Sequence, residues 1–114
     1  MLEDIQIKNF AVISDTSISF DKGLNIITGQ TGSGKSLIIE SIRFLLGSKL
    51  SRKSIRTGEK VLSVSGTITV NKTKHNILRT LSLSGVSTTY IDSKKTSISK
   101  LNDIVSSFYN YFGQ

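Results

Sequence analysis

Apolar and polar residues alternate through most of this chain, and the places where the alternation stops divide it into elements. Leu62, Val64, Gly66, Ile68 and Val70 alternate with Ser63, Ser65, Thr67 and Thr69, a period of two that predicts a half-buried strand. Asn71-Lys72 reads as the following turn. Ile77, Leu81 and Leu83 continue on one face of the next strand, Gly85 turns it, and Thr88 to Ile91 returns before a turn at Asp92-Ser93-Lys94. The second half of the chain is therefore predicted to be an antiparallel meander. In the first half, Ile5 and Ile7 begin a strand that ends near Phe10. Thr16, Ile18 and Phe20 then alternate with Ser17 and Ser19 up to a turn at Asp21-Lys22-Gly23.

Three stretches break the alternation. Leu24 to Thr28 is a short, largely apolar, β-prone run of the kind that forms a buried strand. Ser36 to Leu46 sets Ile38, Ile42 and Leu45 on one helical face, with Leu37, Phe44 and Leu46 beside them, and Gly47 stands where a helix C-terminal cap belongs. Near the end, Ile98, Leu101, Ile104, Val105 and Phe108 recur at helical spacing after a Ser97 cap, and this helix is expected to stop at Gly113. The pattern predicts one α/β domain of α+β-like character over residues 1–114, with two helices on mostly antiparallel strands.

Between the short strand and the first helix lies "GQTGSGKS". Gly29, Gly34, Lys35 and Ser36 fit the spacing G-x-x-x-x-G-K-[ST] of the phosphate-binding loop. Gly29, Gly32 and Gly34 lack a Cβ, so the backbone can turn its N–H groups inward on an anion, and the helix that follows adds its positive dipole end. Lys35 is expected to reach the β and γ phosphates, and the Ser36 hydroxyl to sit on the Mg²⁺ that bridges them. The binding run is thus Gly29, Gln30, Thr31, Gly32, Ser33, Gly34, Lys35, Ser36 and Leu37, with Mg·ATP as the ligand. The bland reading is a glycine turn between two core elements. A strand before the loop and a helix after it favour the nucleotide.

Composition narrows the chemistry further. With 114 residues and no cysteine, the chain can build one core and has neither disulfides nor thiolate metal sites. The single His75 cannot hold a zinc ion alone. No apolar run approaches membrane-spanning length and Met-Leu-Glu-Asp-Ile is no signal peptide, so a cytoplasmic protein with no membrane partner is expected. The net charge of +7 is uneven: Lys49, Arg52, Lys53, Arg56 and Lys60 share a stretch whose one acid is Glu59. That stretch reads as a loop. Solvated charge is its plainer explanation, and contact with a nucleic acid backbone its sharper one.

An antiparallel pair before the phosphate loop and a meander after its helix favour an ABC-type ATPase head over a small nucleotide kinase. Residues 7–47, "IKNFAVISDTSISFDKGLNIITGQTGSGKSLIIESIRFLLG", resemble the opening of the RecN family of bacterial DNA repair proteins, relatives of the SMC ATPases. Thr31 points the same way, since most SMC-type heads carry Asn there. "SIRTGEKVLSVSGTI", "LRTLSLSGVSTTYIDSKKTSISKL" and "YFGQ" resemble the segments that follow in that family.

The resemblance implies an N-terminal head lobe ending at the Q-loop, with Gln114 as the glutamine that holds Mg²⁺ and positions the attacking water. It implies a place near nucleotide or DNA for Arg56, which is otherwise one more exposed charge. Phe10 reads as a core aromatic or as a neighbour of the base. The implied partners are the rest of the head, a second head and DNA, with double-strand break repair at the nucleoid as the setting.

No apolar strand ends in Asp-Glu, "TTYID" sits in a predicted hairpin, and "SLSGV" has only a passing likeness to a signature motif and reads as β structure. The chain is therefore expected to bind ATP without completing an active site. The rival readings are a self-contained small P-loop kinase, and a basic nucleic-acid-binding or self-associating module, with a homodimer through open sheet edges in the latter case.

Overall fold

A computed structural model describes the backbone of residues 2–20 and 32–111 and the side chains of residues 2–20 and 36–106. Among the described residues, one antiparallel pair and a four-stranded meander build a six-stranded sheet. Its strands are β1 (Leu2–Phe10), β2 (Ile13–Ser19), β3 (Val61–Val70), β4 (Thr73–Ser82), β5 (Ser87–Ile91) and β6 (Lys94–Thr96). They lie in the order β2-β1-β3-β4-β5-β6, every neighbouring pair antiparallel. The expected α+β-like class with its β meander is borne out. The expected strand at Leu24 to Thr28 falls outside the described residues.

The turns follow from backbone chemistry. Asn71 and Lys72 both have positive φ, as do Asp92 and Ser93, the pattern of type I′ turns, whose twist matches that of the strands they join. The second of these turns creates an element that the hydrophobic pattern does not show. Lys94–Thr96 pairs with Thr89, Tyr90 and Ile91, so Lys94, expected in a turn, opens a strand. Leu83, expected on the inner face of β4, instead lies in the β4–β5 turn and is half exposed. The strand has already ended at Ser82, whose N–H donates to Val86 O while the Gly85 N–H donates to Ser82 O.

One face of the sheet is covered by two helices, α1 (Gly32–Leu45) and α2 (Ile98–Tyr111). The core between them and the strands contains Ile5, Ile7, Phe10, Ile38, Phe44, Leu45, Leu62, Val64, Ile68, Ile77, Leu81, Leu101 and Val105, all buried. Phe10 is thus a core aromatic. Gly66 is the thin point of the sheet. A Cβ there would stand 2.5 Å from Asp4 O and 3.0 Å from Leu45 Cδ2, so glycine lets α1 and the β1 backbone approach β3 together.

Helix α2 starts as its sequence predicts, with the Lys100 N–H donating to Ser97 Oγ at 3.2 Å. Its expected stop at Gly113 lies outside the described residues. Helix α1 ends as predicted, at Gly47 with φ of 119°. Gly47 N–H donates to Phe44 O and Ser48 N–H to Arg43 O, the paired bonds of a Schellman cap. Its start differs from expectation. The helix opens at Gly32 rather than Ser36, so the second half of the glycine motif is already helical.

Candidate functional site

The site is built on the first turn of α1. Gly32, Ser33, Gly34 and Lys35 form that turn, and Ser36 follows it with an exposed side chain while Leu37 is half-buried. A helix leaves its first N–H groups without intrahelical partners, and its dipole makes that end attractive to anions. No acidic residue occupies the first turn of α1, so nothing described there competes with an incoming phosphate. These features suit a nucleoside triphosphate with its Mg²⁺, for which the exposed Ser36 hydroxyl is a free oxygen donor. Gly29, Gln30, Thr31 and Gln114 lie outside the described residues.

The basic stretch after α1 is more structured than its composition implies. Residues Arg52–Ser54 form one 3-10 turn capped by the Ser51 side chain, and Ile55 makes an isolated bridge with Phe10. Two of its cations hold turns in place. Arg52 Nη1 donates to Leu83 O at 3.3 Å, and Arg56 Nη1 donates to Val12 O at 2.8 Å and to Ala11 O at 3.3 Å. Arg56 N–H also donates to Asn9 O. Arg56 is therefore a half-buried clasp on the β1–β2 turn, not one more exposed charge. Lys49, Lys53 and Lys60 remain as solvated charges.

Sequence reasoning passed over Arg79. It stands on the inner face of β4 between Ile77 and Leu81 and is 4% exposed. Its Nη1 donates to Phe44 O at 2.7 Å and Ser48 O at 2.8 Å, its Nε to Thr89 Oγ1 at 3.1 Å, and its Nη2 to Ser87 Oγ at 2.9 Å. The guanidinium carbon lies 4.3 Å from the centre of the Phe44 ring. Burial pulls its pKa below the ordinary arginine value, yet an arginine remains charged at neutral pH. A cation among the last carbonyls of a helix meets the negative end of the dipole. The signal available in the sequence was a lone charge at an inward position of a strand.

Asp92 has a local role. Its carboxylate accepts from the Asn76 N–H at 3.0 Å and lies 3.1 Å from His75 Nδ1, and these two contacts lower its pKa. It pins the β5–β6 turn to β4, so "TTYID" is a hairpin, as its composition suggests. "SLSGV" is likewise the end of β4 and its turn. Among the described residues no cluster of His, Asp or Glu could hold a metal ion, and no helix is long and apolar enough to cross a membrane.

Comparison with known proteins adds a lineage to this geometry. The model of a family described as "AAA domain" matches residues 4–114. The DNA repair protein RecN of Halalkalibacterium halodurans is 48% identical over 66 residues, covering 58% of this chain and 12% of that protein. RecN of Bacillus subtilis is 32% identical over 132 residues, covering 100% of this chain and 23% of that protein. The chain thus spans less than a quarter of the length of these relatives. A solved structure described as "Structural biochemistry of ATP-driven dimerization and DNA stimulated activation of SMC ATPases" superposes with a TM-score of 0.79 at 23% identity, covering 93% of this chain and 78% of that one. Such identity speaks for the fold, which is that of the N-terminal lobe of an SMC-type ATPase head.

Proposed function

The chain belongs to the AAA domain family, is RecN-like in sequence, and from that premise we propose that it binds Mg·ATP through residues 29–37. The observation that carries the reading is the start of α1 at Gly32, inside the motif. It presents backbone amides of the motif's second half at a helix end free of acids. Gly29, Gln30, Thr31, Gly32, Ser33 and Gly34 wrap the phosphates with their amides, Lys35 neutralises them, and Leu37 continues the helix behind them. Ser36 would hold the Mg²⁺, and Gln114 would serve as a second ligand that orients water. Bound Mg²⁺ supplies charge neutralisation across the β and γ phosphates. Arg56, fixed against Ala11 and Val12, acts at the nucleotide or at DNA by way of the turn it holds.

The chain is, in this reading, the single-domain lobe of a head whose remaining parts supply the second acid on the metal and the glutamate that activates water. Hydrolysis then belongs to two complete heads clasping ATP between them, coupled to DNA in double-strand break repair and recombination in the cytoplasm. The names of the relatives and the fold likeness to an SMC ATPase support that assignment. Calorimetric titration of the purified chain with Mg·ATP, run beside Lys35→Ala and followed by phosphate release, tests it. Binding that Lys35→Ala reduces at least about a hundredfold, without turnover, is expected. Turnover by the chain alone would overturn the incomplete-site reading in favour of a small self-contained enzyme.

A further inference from the structure

The reading above accounts for one end of α1. The other end holds a charged group that neither the motif nor the comparisons explain. Arg79 spends all three of its nitrogens on fixed partners: two carbonyls where α1 ends, and two hydroxyls on β5. No described acid pairs with it. Its charge is balanced by the carbonyl end of the helix and by the face of the Phe44 ring, which belongs to that same helix. A group needed only to fill space on the inner face of β4 would be apolar, like its neighbours Ile77 and Leu81, since burying a lone cation is costly.

A helix of 14 residues is a rod about 21 Å long. Amides at its first turn can meet phosphate oxygens only within the few tenths of an ångström that a hydrogen bond tolerates, so fixing its far end fixes their aim. Apolar packing of Ile38, Phe44 and Leu45 holds α1 on the sheet but is non-directional. Arg79 adds directional bonds, because one planar fork ties Phe44 O and Ser48 O to both β4 and β5. We propose that Arg79 is a positioning residue for nucleotide, which holds the carboxyl end of α1 so that the glycine-rich end keeps the geometry that phosphates require. This rests on the ATP-binding reading. It adds a residue, far from the motif in sequence, that decides how well the motif works.

The test compares the wild-type chain with Lys35→Ala, Arg79→Lys and Ile68→Val. Arg79→Lys keeps the charge but loses the fork. Ile68→Val trims a buried side chain of β3 that makes none of these contacts and serves as the stability control. Titration is made with Mg·ATP and with inorganic pyrophosphate, at a temperature where circular dichroism shows each variant folded. Arg79→Lys is expected to bind both about tenfold more weakly, and Mg·ATP should slow exchange of the Gly32 to Ser36 amides less than in wild type. Ile68→Val should match wild type in both readouts.

Arg79→Lys that is folded and binds as tightly as wild type overturns the proposal, as does an equal loss in Ile68→Val. If Arg79→Lys does not fold, Thr89→Val takes its place, because it deletes the acceptor of Nε and leaves the guanidinium present. It should lose affinity in the same direction by a smaller factor, and unchanged affinity overturns the proposal. Folded wild-type chain that binds no Mg·ATP overturns the ATP reading and this proposal with it. Binding lost in Lys35→Ala but kept in Arg79→Lys overturns this proposal alone.

Discussion

The two helices are equal in length, 14 residues each, and the anchors among the described residues lie at opposite ends of them. Helix α2 is held where it begins, by the Ser97 hydroxyl on the Lys100 amide, and packs Leu101 and Val105 into the core. Helix α1 is held where it ends, by the Gly47 turn and the Arg79 fork. A capping side chain consumes the amides of a helix start, which suits a helix whose task is packing. Anchoring at the carboxyl end spends none of the first-turn amides of α1, the ones the proposed nucleotide would meet. The difference teaches that the same element serves as wall or as site according to which terminus the protein has already satisfied.

That contrast can be broken most severely at Phe44. Phe44→Ala removes a fully buried ring and the face on which Arg79 rests, and should cost about 3–5 kcal/mol in denaturant unfolding. Hydrogen exchange at Gly47 and Ser48 should rise more than at the Lys100 amide. Equal loosening of both helices would show that they are anchored as one unit. Ser97→Ala attacks α2 at its start and should cost about 1 kcal/mol, with faster exchange at Lys100 and no change at Ser48.

The smallest effect is expected from Asp92→Asn, which touches neither helix and sharpens the comparison as a control. The Asn76 amide and the His75 ring hold the Asp92 carboxylate below the ordinary aspartate range. Its contribution is therefore complete above about pH 4, and is lost as pH falls through the lowered folded value. In melting curves taken from pH 6 down to pH 2, Asp92→Asn should flatten part of the acid decline. Glu3, whose carboxyl is lowered first by the Thr69 hydroxyl and then by Lys74, is expected to add to the decline in the same direction.

Much of the sheet was legible because its strands are long and half-buried. The alternation from Leu62 to Val70 and the Asn71-Lys72 turn can be read directly. What escaped has physical reasons. Strand β6 has no apolar period in Lys94-Lys95-Thr96, and it exists because a type I′ turn at Asp92-Ser93 folds it back on β5. Leu83 continues the alternation past the end of its strand, since the Gly85 turn, not hydrophobicity, ends β4. At the site, the motif is visible as spacing, while the start of α1 at Gly32 is not, because glycines argue for loop. Arg79 was passed over for the opposite reason. A charge in a strand reads as an outward residue until a helix end is found against it.

Among the described residues, five pairs of neighbouring strands make the sheet, and of these only β1 with β3 joins strands that are not consecutive in the chain. Ile5 lies opposite Gly66 across that seam, with α1 and the whole glycine motif in the chain between them. Closing so large a loop carries the main entropy cost of the topology, and local hairpins form before such pairings. The expected order of assembly is the two halves first and the seam last. A nucleotide bound at the motif, as proposed above, would shorten the effective loop and so favour closure of the seam.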